Sequence, residues 1–297
     1  MSSTLIDQER YLRQSQPLII LGMHRSGTSL AVRLLSGIGI YMGDRLSRDA
    51  EAIFFQKLNR RIFQLVGVKW GYVEPLIAEM RSPDFIEGQT SAMQQALFKD
   101  THLLGGEPRI SEFFGSHIWK QVSSGQPITW GWKDPRTTLT FPIWLNIFPQ
   151  AKILHVLRNG IDVAISTHRR SLRQQKNILK RTFRLDYCPI TLDFKYCFQL
   201  WEQYVSFVYE QRSLIPDERY LEIRYEDLLQ DPEGNLRMIS EFMDFPVQLE
   251  RLSKISRQVN RSRIDNSAYA SAYRSQIPPL TTTPLMQRLG YSYSLGN

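Results

Sequence analysis

The feature that most constrains the fold is the passage LIILGMHRSGTS at residues 18–29. Leu18, Ile19, Ile20 and Leu21 form a continuous apolar run ended by Gly22, the signature of a strand buried on both faces. Leu30, Leu34, Leu35 and Ile38 then recur at helical spacing, with Gly37 and Gly39 as a stop. Between strand and helix, the glycine spacing and the closing hydroxyl match the phosphate-binding pattern G-x-x-x-x-G-K-[ST], except that Thr28 stands in place of the lysine. Gly27 lets the backbone turn closely around an oxyanion, and the N–H groups of the following helix point at it. Ser26, Thr28 and Ser29 add hydroxyl donors, His24 lies in the same loop, and Arg25 offers a planar guanidinium to two anion oxygens.

Further strands follow the same logic. Ala151 to Leu157 (AKILHVL) is a second buried strand, followed by Arg158-Asn159-Gly160 as a turn and a helix from about Ile161. Ile128 to Trp132 and Tyr220 to Ile223 read as shorter strands. Glu51 to Val66, Thr138 to Phe148 (interrupted by Pro142), Thr191 to Arg212 and Pro232 to Met243 read as helices. Strands separated by helices predict an α/β fold of three layers, a P-loop-type arrangement with a central, mainly parallel sheet flanked by helices. Residues 1–16 show no apolar period and are expected to form an arm of at most one helical turn. Residues 17–263 are expected to be a single domain, and 264–297 a tail packed on it that wraps over its surface.

Composition excludes several classes. The 297 residues carry 37 Lys and Arg against 29 Asp and Glu, a net charge of +8, with 42% apolar residues, enough for a sizeable core. No run approaches the roughly 18 apolar residues of a membrane span. The start, MSSTLIDQERYLRQSQ, has neither the basic beginning nor the apolar stretch of a signal peptide. Cys188 and Cys197 are too few for a disulfide framework or a four-ligand zinc site, so a cytoplasmic protein without a structural metal is expected. The positive balance admits nucleic acid, a membrane surface or a small anion. Nucleic acid is disfavoured, because only Phe183 interrupts the basic stretch from Arg169 to Arg184. A phosphate-loop kinase or hydrolase remains as the alternative enzyme. It would need a lysine on the β- and γ-phosphates and an acidic strand end for magnesium, whereas AKILHVL ends in Arg158.

Three segments in order carry a resemblance to a known family. GMHRSGTS resembles the 5′-phosphosulfate loop of sulfotransferases, and KILHVLRNGIDVAIS is similar to their 3′-phosphate motif. RYEDLLQDPEGNLRMISEFMDFP resembles their third segment, in which the tyrosine of a Tyr-Glu-Asp triplet lies near the adenine. The resemblance spans residues 18 to 246 and implies 3′-phosphoadenosine-5′-phosphosulfate (PAPS) as co-substrate, without a metal. On this likeness His24 to Ser29 would hold the phosphosulfate, Arg158 and Ser166 the 3′-phosphate, and Tyr225 would lie by the adenine, with Glu226 and Asp227 completing the triplet.

Sulfuryl transfer builds negative charge on the oxygen bridging to the departing phosphate, so a cation there lowers the barrier. Arg25 occupies the position of the lysine common in cytosolic members of the family; it stabilises charge but cannot donate a proton. Lys133, in Trp130-Gly131-Trp132-Lys133-Asp134-Pro135-Arg136 just after a predicted strand, is the candidate second cation; a local pairing of Asp134 with Lys133 or Arg136 is the plainer reading of that run. Glu51, one crossover after the loop, is the first candidate for the base that takes the acceptor's proton, alongside a purely structural reading as dipole complement at a helix start. Asp134 and His24 are weaker candidates. His155 is expected as a hydrogen-bonded core residue, His168 on an exposed helix face, and Asp162 as the cap of its helix.

The glycine-rich basic end of cytosolic sulfotransferases has no counterpart here. Arg257, Arg261 and Arg263 are read either as its replacement or as a solvated basic face. The run Arg169, Arg170, Arg173, Lys176, Lys180, Arg181 and Arg184 is likewise either solvated, or a face that steers the cofactor or binds an acidic acceptor such as a glycan. The acceptor, a small molecule or saccharide presenting a hydroxyl or amine, is expected to meet loops from Gly67 to Gly125 and the tail. There Trp70, Tyr72, Phe113, Phe114 and Trp119 are candidates for stacking, with core packing as the plainer reading of each.

Overall fold

A computed structural model describes residues 3–99, 109–176, 188–260 and 267–292. Four short strands, β1 (Leu18–Leu21), β2 (Gly131–Lys133), β3 (Lys152–Leu157) and β4 (Tyr220–Arg224), form one sheet in the order β2-β1-β3-β4. Every pairing is parallel, with Ile20 opposite Lys133, Leu21 opposite His155 and Leu157 opposite Arg224. β1 is central because its four residues are apolar and wholly buried, as a strand covered on both faces requires. Side-chain alternation splits the core into two layers. Leu18, Ile20, Leu154, Val156 and Ile223 pack with Leu34, Leu35 and Ile38 of helix α2 (Thr28–Ile38) and with Leu236 and Ile239. Ile19, Leu21, Ile153 and Leu157 face the larger cluster on the opposite side.

That cluster is built by α3 (Ile53–Leu65), α4 (Glu74–Glu79), α5 (Pro83–Gln94), α6 (Ser111–Ser123), α7 (Thr137–Ile147), α8 (Gly160–Gln175) and α9 (Phe194–Glu210). Its centre is aromatic: Phe55 stacks on Trp132 at 4.1 Å between ring centroids, with Trp144 and Phe113 edge-on to Phe55. The three-layer α/β architecture is therefore the one the strand pattern predicts. Pro142 sits inside α7 without ending it.

Several local readings need correction. The N-terminal arm is a helix, Ser3–Gln14, anchored by a fully buried Leu12 and by the Tyr11 hydroxyl, which donates to the Gln126 carbonyl at 2.9 Å. One anchoring residue gives no periodicity to read. The tail is not a surface wrap over 267–292: Ile277, Met286 and Leu289 are buried in the main core between short helices at Pro278–Thr281 and Pro284–Arg288. Single-turn helices likewise leave no repeat. α3 begins at Ile53 rather than Glu51, because the Glu51 carbonyl accepts from Ser47 N–H and Ala52 N–H donates to the Lys133 carbonyl, both at 2.9 Å. Asn159, not Asp162, caps α8, accepting from Ile161 N–H at 3.0 Å.

Candidate functional site

All four strands deliver a candidate residue at the same, carboxyl end of the sheet, where open parallel sheets bind ligands. β1 runs into the loop Gly22–Ser29, Lys133 is the last residue of β2, Arg158 follows β3, and Tyr225 follows β4. A cavity of about 290 Å³ lies there, lined among others by Gly27, Thr28, Lys133, Arg158 and Tyr225.

The loop is shaped by two left-handed residues, Arg25 (φ 76°) and Gly27 (φ 95°). At Arg25 this is uncommon for a residue with a Cβ, and its side chain is held in return: Nε donates to the Ser166 hydroxyl at 3.0 Å. Gly27 has no room for a side chain. A Cβ there would stand 2.1 Å from the Tyr225 ring. Gly27 is also the N-cap of α2 and supplies no side-chain hydrogen bond; Leu30 N–H donates to the Gly27 carbonyl at 2.8 Å, which leaves the N–H groups of Thr28 and Ser29 to face an anion. Arg158 completes the rim. Its Nη1 donates to the Arg25 carbonyl at 3.3 Å, its Nη2 lies 3.6 Å from Asp162, and its guanidinium carbon sits 4.5 Å from the Tyr225 ring centroid.

Lys133 and Glu51 are brought together on the other wall. Lys133 is 1% exposed; its Nζ donates to the Asp49 carbonyl at 2.6 Å and to Ser29 Oγ at 3.4 Å, and lies 3.8 Å from the Glu51 carboxylate. Burial pulls the ammonium down to about 8, against the opposing pull of Glu51, Asp134 and Asp49. Burial, aided by the charge of Asp134, pushes the Glu51 carboxyl up, and Gln56 donates its amide to that carboxylate. Asp134 is spoken for: fully buried, it accepts from Asn59 at 2.9 Å and from Arg136 at 3.2 Å, the local pairing expected as the plainer reading.

His24 faces a larger cavity of about 660 Å³ that adjoins the first and reaches Trp70, Arg136 and Arg173. Its ring lies 4.7 Å from that of Trp70, and Nδ1 is sealed from solvent with no hydrogen-bond partner among the described residues. Burial, and then the charges of Arg136, Arg170, Lys133 and Arg25, hold its pKa well below the usual histidine value.

The sites expected at Gly22–Ser29, Glu51, Lys133, Arg158, Ser166 and Tyr225 thus converge. Arg170, from the basic run read as either solvated or steering the cofactor, joins them, and Asp49 and Gln56 do so unforeseen; Asp49, which ties Ser29, Lys133 and Arg170 together, lies in an irregular stretch with no motif to mark it. His168 is not an open surface residue: Nδ1 lies 2.7 Å from the Tyr273 hydroxyl and Nε2 3.0 Å from the Leu192 carbonyl. His155 pairs with the Tyr220 hydroxyl at 2.8 Å in the core, as expected. Arg257 lines a separate cleft with Asp231 and Glu233 that shares no residue with either cavity. Arg261 and Arg263, and Lys180, Arg181 and Arg184 of the basic run, fall outside the described residues. Phe113, Phe114 and Trp119 are core side chains, whereas Tyr72 is exposed. Among the described residues no helix is long and apolar enough to cross a membrane, and no group of three or more His, Cys, Asp or Glu side chains is placed to hold a metal.

Residues 17–249 match the family model described as the Sulfotransferase family. Omega-hydroxy-beta-dihydromenaquinone-9 sulfotransferase Stf3 of Mycobacterium tuberculosis (strain CDC 1551 / Oshkosh) is 33% identical over 125 residues, 40% of this chain and 30% of that protein. Protein-tyrosine sulfotransferase A of Caenorhabditis elegans is 25% identical over 139 residues, 46% of this chain and 33% of that one. The chain thus spans about a third of the length of these curated relatives. Among solved structures, the sulfotransferase domain from the curacin biosynthetic pathway superposes with a TM-score of 0.54 at 20% identity, over 95% of this chain and 100% of that domain. Sulfotransferase STF9 from Mycobacterium avium gives 0.52 at 19% identity, over 98% and 81%. These two likenesses are likenesses of fold.

Proposed function

The chain belongs to the sulfotransferase family, and from that premise we propose that it transfers a sulfuryl group from PAPS to a hydroxyl or amine of a small-molecule or saccharide acceptor, with residues 17–263 as the catalytic unit. The observation that carries the reading is the convergence of an uncapped phosphate loop, Lys133, Arg158 and Tyr225 at the carboxyl ends of four adjacent parallel strands. The residues present suit a nucleotide with anionic groups at both ends. The loop of His24 to Ser29, with the open N-terminus of α2, takes the 5′ group. Arg158, whose Nε is buried without a partner among the described residues, and Ser166 take the 3′-phosphate; Tyr225 lies by the adenine.

When bound, the phosphosulfate supplies the sulfuryl group. The acceptor oxygen or nitrogen forms its bond to sulfur as the bond from sulfur to the bridging oxygen breaks, and that electron pair stays with the departing adenosine 3′,5′-bisphosphate. Arg25 and Lys133 offset the charge that builds on the bridging oxygen. Glu51 takes the acceptor's proton; its raised affinity for a proton suits that task, and the neighbouring Lys133 ammonium keeps the carboxylate available. No step of this scheme calls on a metal. The two buried free thiols, Cys188 and Cys197, support a reducing, cytoplasmic setting. Transfer of radiolabel from ³⁵S-PAPS to a panel of saccharides, phenols, lipids and peptides tests the reading. Labelled product is expected from at least one class, and tight magnesium-dependent ATP turnover in its place would overturn it.

A further inference from the structure

The larger cavity is lined by arginines beyond those that line the nucleotide cavity, although one of them, Arg136, is already paired with the buried Asp134. Arg25, Arg48, Arg136, Arg170 and Arg173 border it against two carboxylates, Asp49 and Glu51. Asp49 is already 3.6 Å from Arg170, and Glu51 faces Lys133. Arg25, Arg48 and Arg170 also line the smaller cavity assigned to the nucleotide, whereas Arg136, Arg173 and Trp70 line only the larger one. The two cavities share Arg25 and Glu51, so a molecule in the larger one has its near end at the reacting groups and its far end among Arg136 and Arg173.

The far end is a built surface. Arg136 is 5% exposed and pinned by Asp134 at 3.2 Å, so its guanidinium is fixed before any ligand arrives. Arg170 and Arg173 project from α8 one and two turns beyond Ser166, and Trp70 closes the wall beside His24. The crowding has a cost: Arg170, Arg158 and Arg173 each lower the pKa of Arg25, after burial, with only Asp49 opposing. An anion between these guanidiniums removes that repulsion and gains charge-assisted hydrogen bonds. A cleft of about 660 Å³ lies in the size range of those that take small-molecule ligands.

We infer that the acceptor is itself an anion: its hydroxyl lies at Arg25 and Glu51, and a carboxylate, sulfate or phosphate group on it lies between Arg136 and Arg173, with its ring against Trp70. This rests on the sulfotransferase reading of the same site.

The test uses the full chain saturated with adenosine 3′,5′-bisphosphate and matched calorimetric pairs: a phenyl glucuronide and its methyl ester, 4-hydroxybenzoate and its methyl ester, and a sulfated disaccharide and its unsulfated parent. In at least one pair the anion is expected to bind at least tenfold more tightly than its neutral partner. Arg173→Glu is expected to abolish that preference, with a smaller loss of bisphosphate affinity. Equal binding within every pair, no binding by any member, or a loss of bisphosphate affinity in Arg173→Glu as large as the loss of anion affinity overturns the inference and leaves the cofactor reading standing. Failure of the wild-type chain to bind the bisphosphate at all overturns the sulfotransferase reading, and this inference with it.

Discussion

Arg25 and Ser166, 141 positions apart in the chain, are joined by a 3.0 Å hydrogen bond from the guanidinium Nε to the serine hydroxyl. The contact ties the loop after β1 to the helix after β3, and Arg158 adds a second tie to the loop by donating to the Arg25 carbonyl at 3.3 Å. Two segments from different parts of the sequence, each proposed to bind an anion, are therefore tied together. Arg25, held at a left-handed φ of 76°, is their link.

Ser166→Ala removes the acceptor of the Arg25 Nε bond as well as a hydroxyl at the proposed 3′-phosphate site. Hydrogen bonds to charged groups contribute about 1.5–3 kcal/mol. A loss of roughly tenfold or more in affinity for adenosine 3′,5′-bisphosphate is expected by calorimetry.

Burial pulls the Lys133 ammonium down to about 8, so under the proposed scheme the charge that would offset the leaving oxygen is lost in mildly alkaline solution. In the free enzyme kcat/KM is expected to fall as pH rises through about 8, since the active form is the protonated one. Lys133→Arg should move that limb upward by keeping the charge, whereas Lys133→Met should lower kcat by about 10²–10³. A pH profile of initial rates checks both.

Glu51→Gln keeps the shape and the contact with Gln56 but cannot take a proton. A drop in kcat of about 10²–10⁴ with bisphosphate affinity intact is the expected result for a general base. Equal losses in kcat and bisphosphate affinity would reassign Glu51 to holding Lys133 in place.

Away from the site, Glu222 joins β4 to β3 through His155 at 3.3 Å and accepts from the Tyr209 and Tyr220 hydroxyls, each at 2.8 Å. Burial alone would raise its pKa, but the bond and charge of His155 and the two hydroxyls outweigh it and hold the carboxyl at about 2, below its ordinary 4.5. With a depressed folded-state pKa, the stabilisation is present above about 4.5 and is lost as pH falls toward about 2, where the unfolded chain binds the proton first. Chemical denaturation between pH 6 and pH 2 should show this acid limb in the wild type (~4 pH units scanned) and a flatter one in Glu222→Gln.

The sheet and the phosphate loop were legible because their signals are local: LIIL and KILHVL are unbroken apolar runs, and Gly27 lies at a fixed offset from Gly22. Lys133 and Glu51 could be named from the sequence, but not the backbone bond from Ala52 to the Lys133 carbonyl that brings them together, since a contact between separate loops leaves no period. Asp49 escaped for the same reason. The tail was misjudged because Ile277 and Met286 enter the core singly, each on a turn too short to show a repeat. His168 looked exposed only because its cover, Tyr273, belongs to that tail.

The most direct test is a calorimetric titration of adenosine 3′,5′-bisphosphate into the wild-type chain and into Arg158→Ala, at low salt and with EDTA present. Micromolar binding by the wild type is expected, weakened at least tenfold by Arg158→Ala and comparably when 5′-AMP, which lacks the 3′-phosphate, replaces the ligand. No binding by the wild type, or equal affinity for the bisphosphate and 5′-AMP, would contradict the assignment of this site to PAPS.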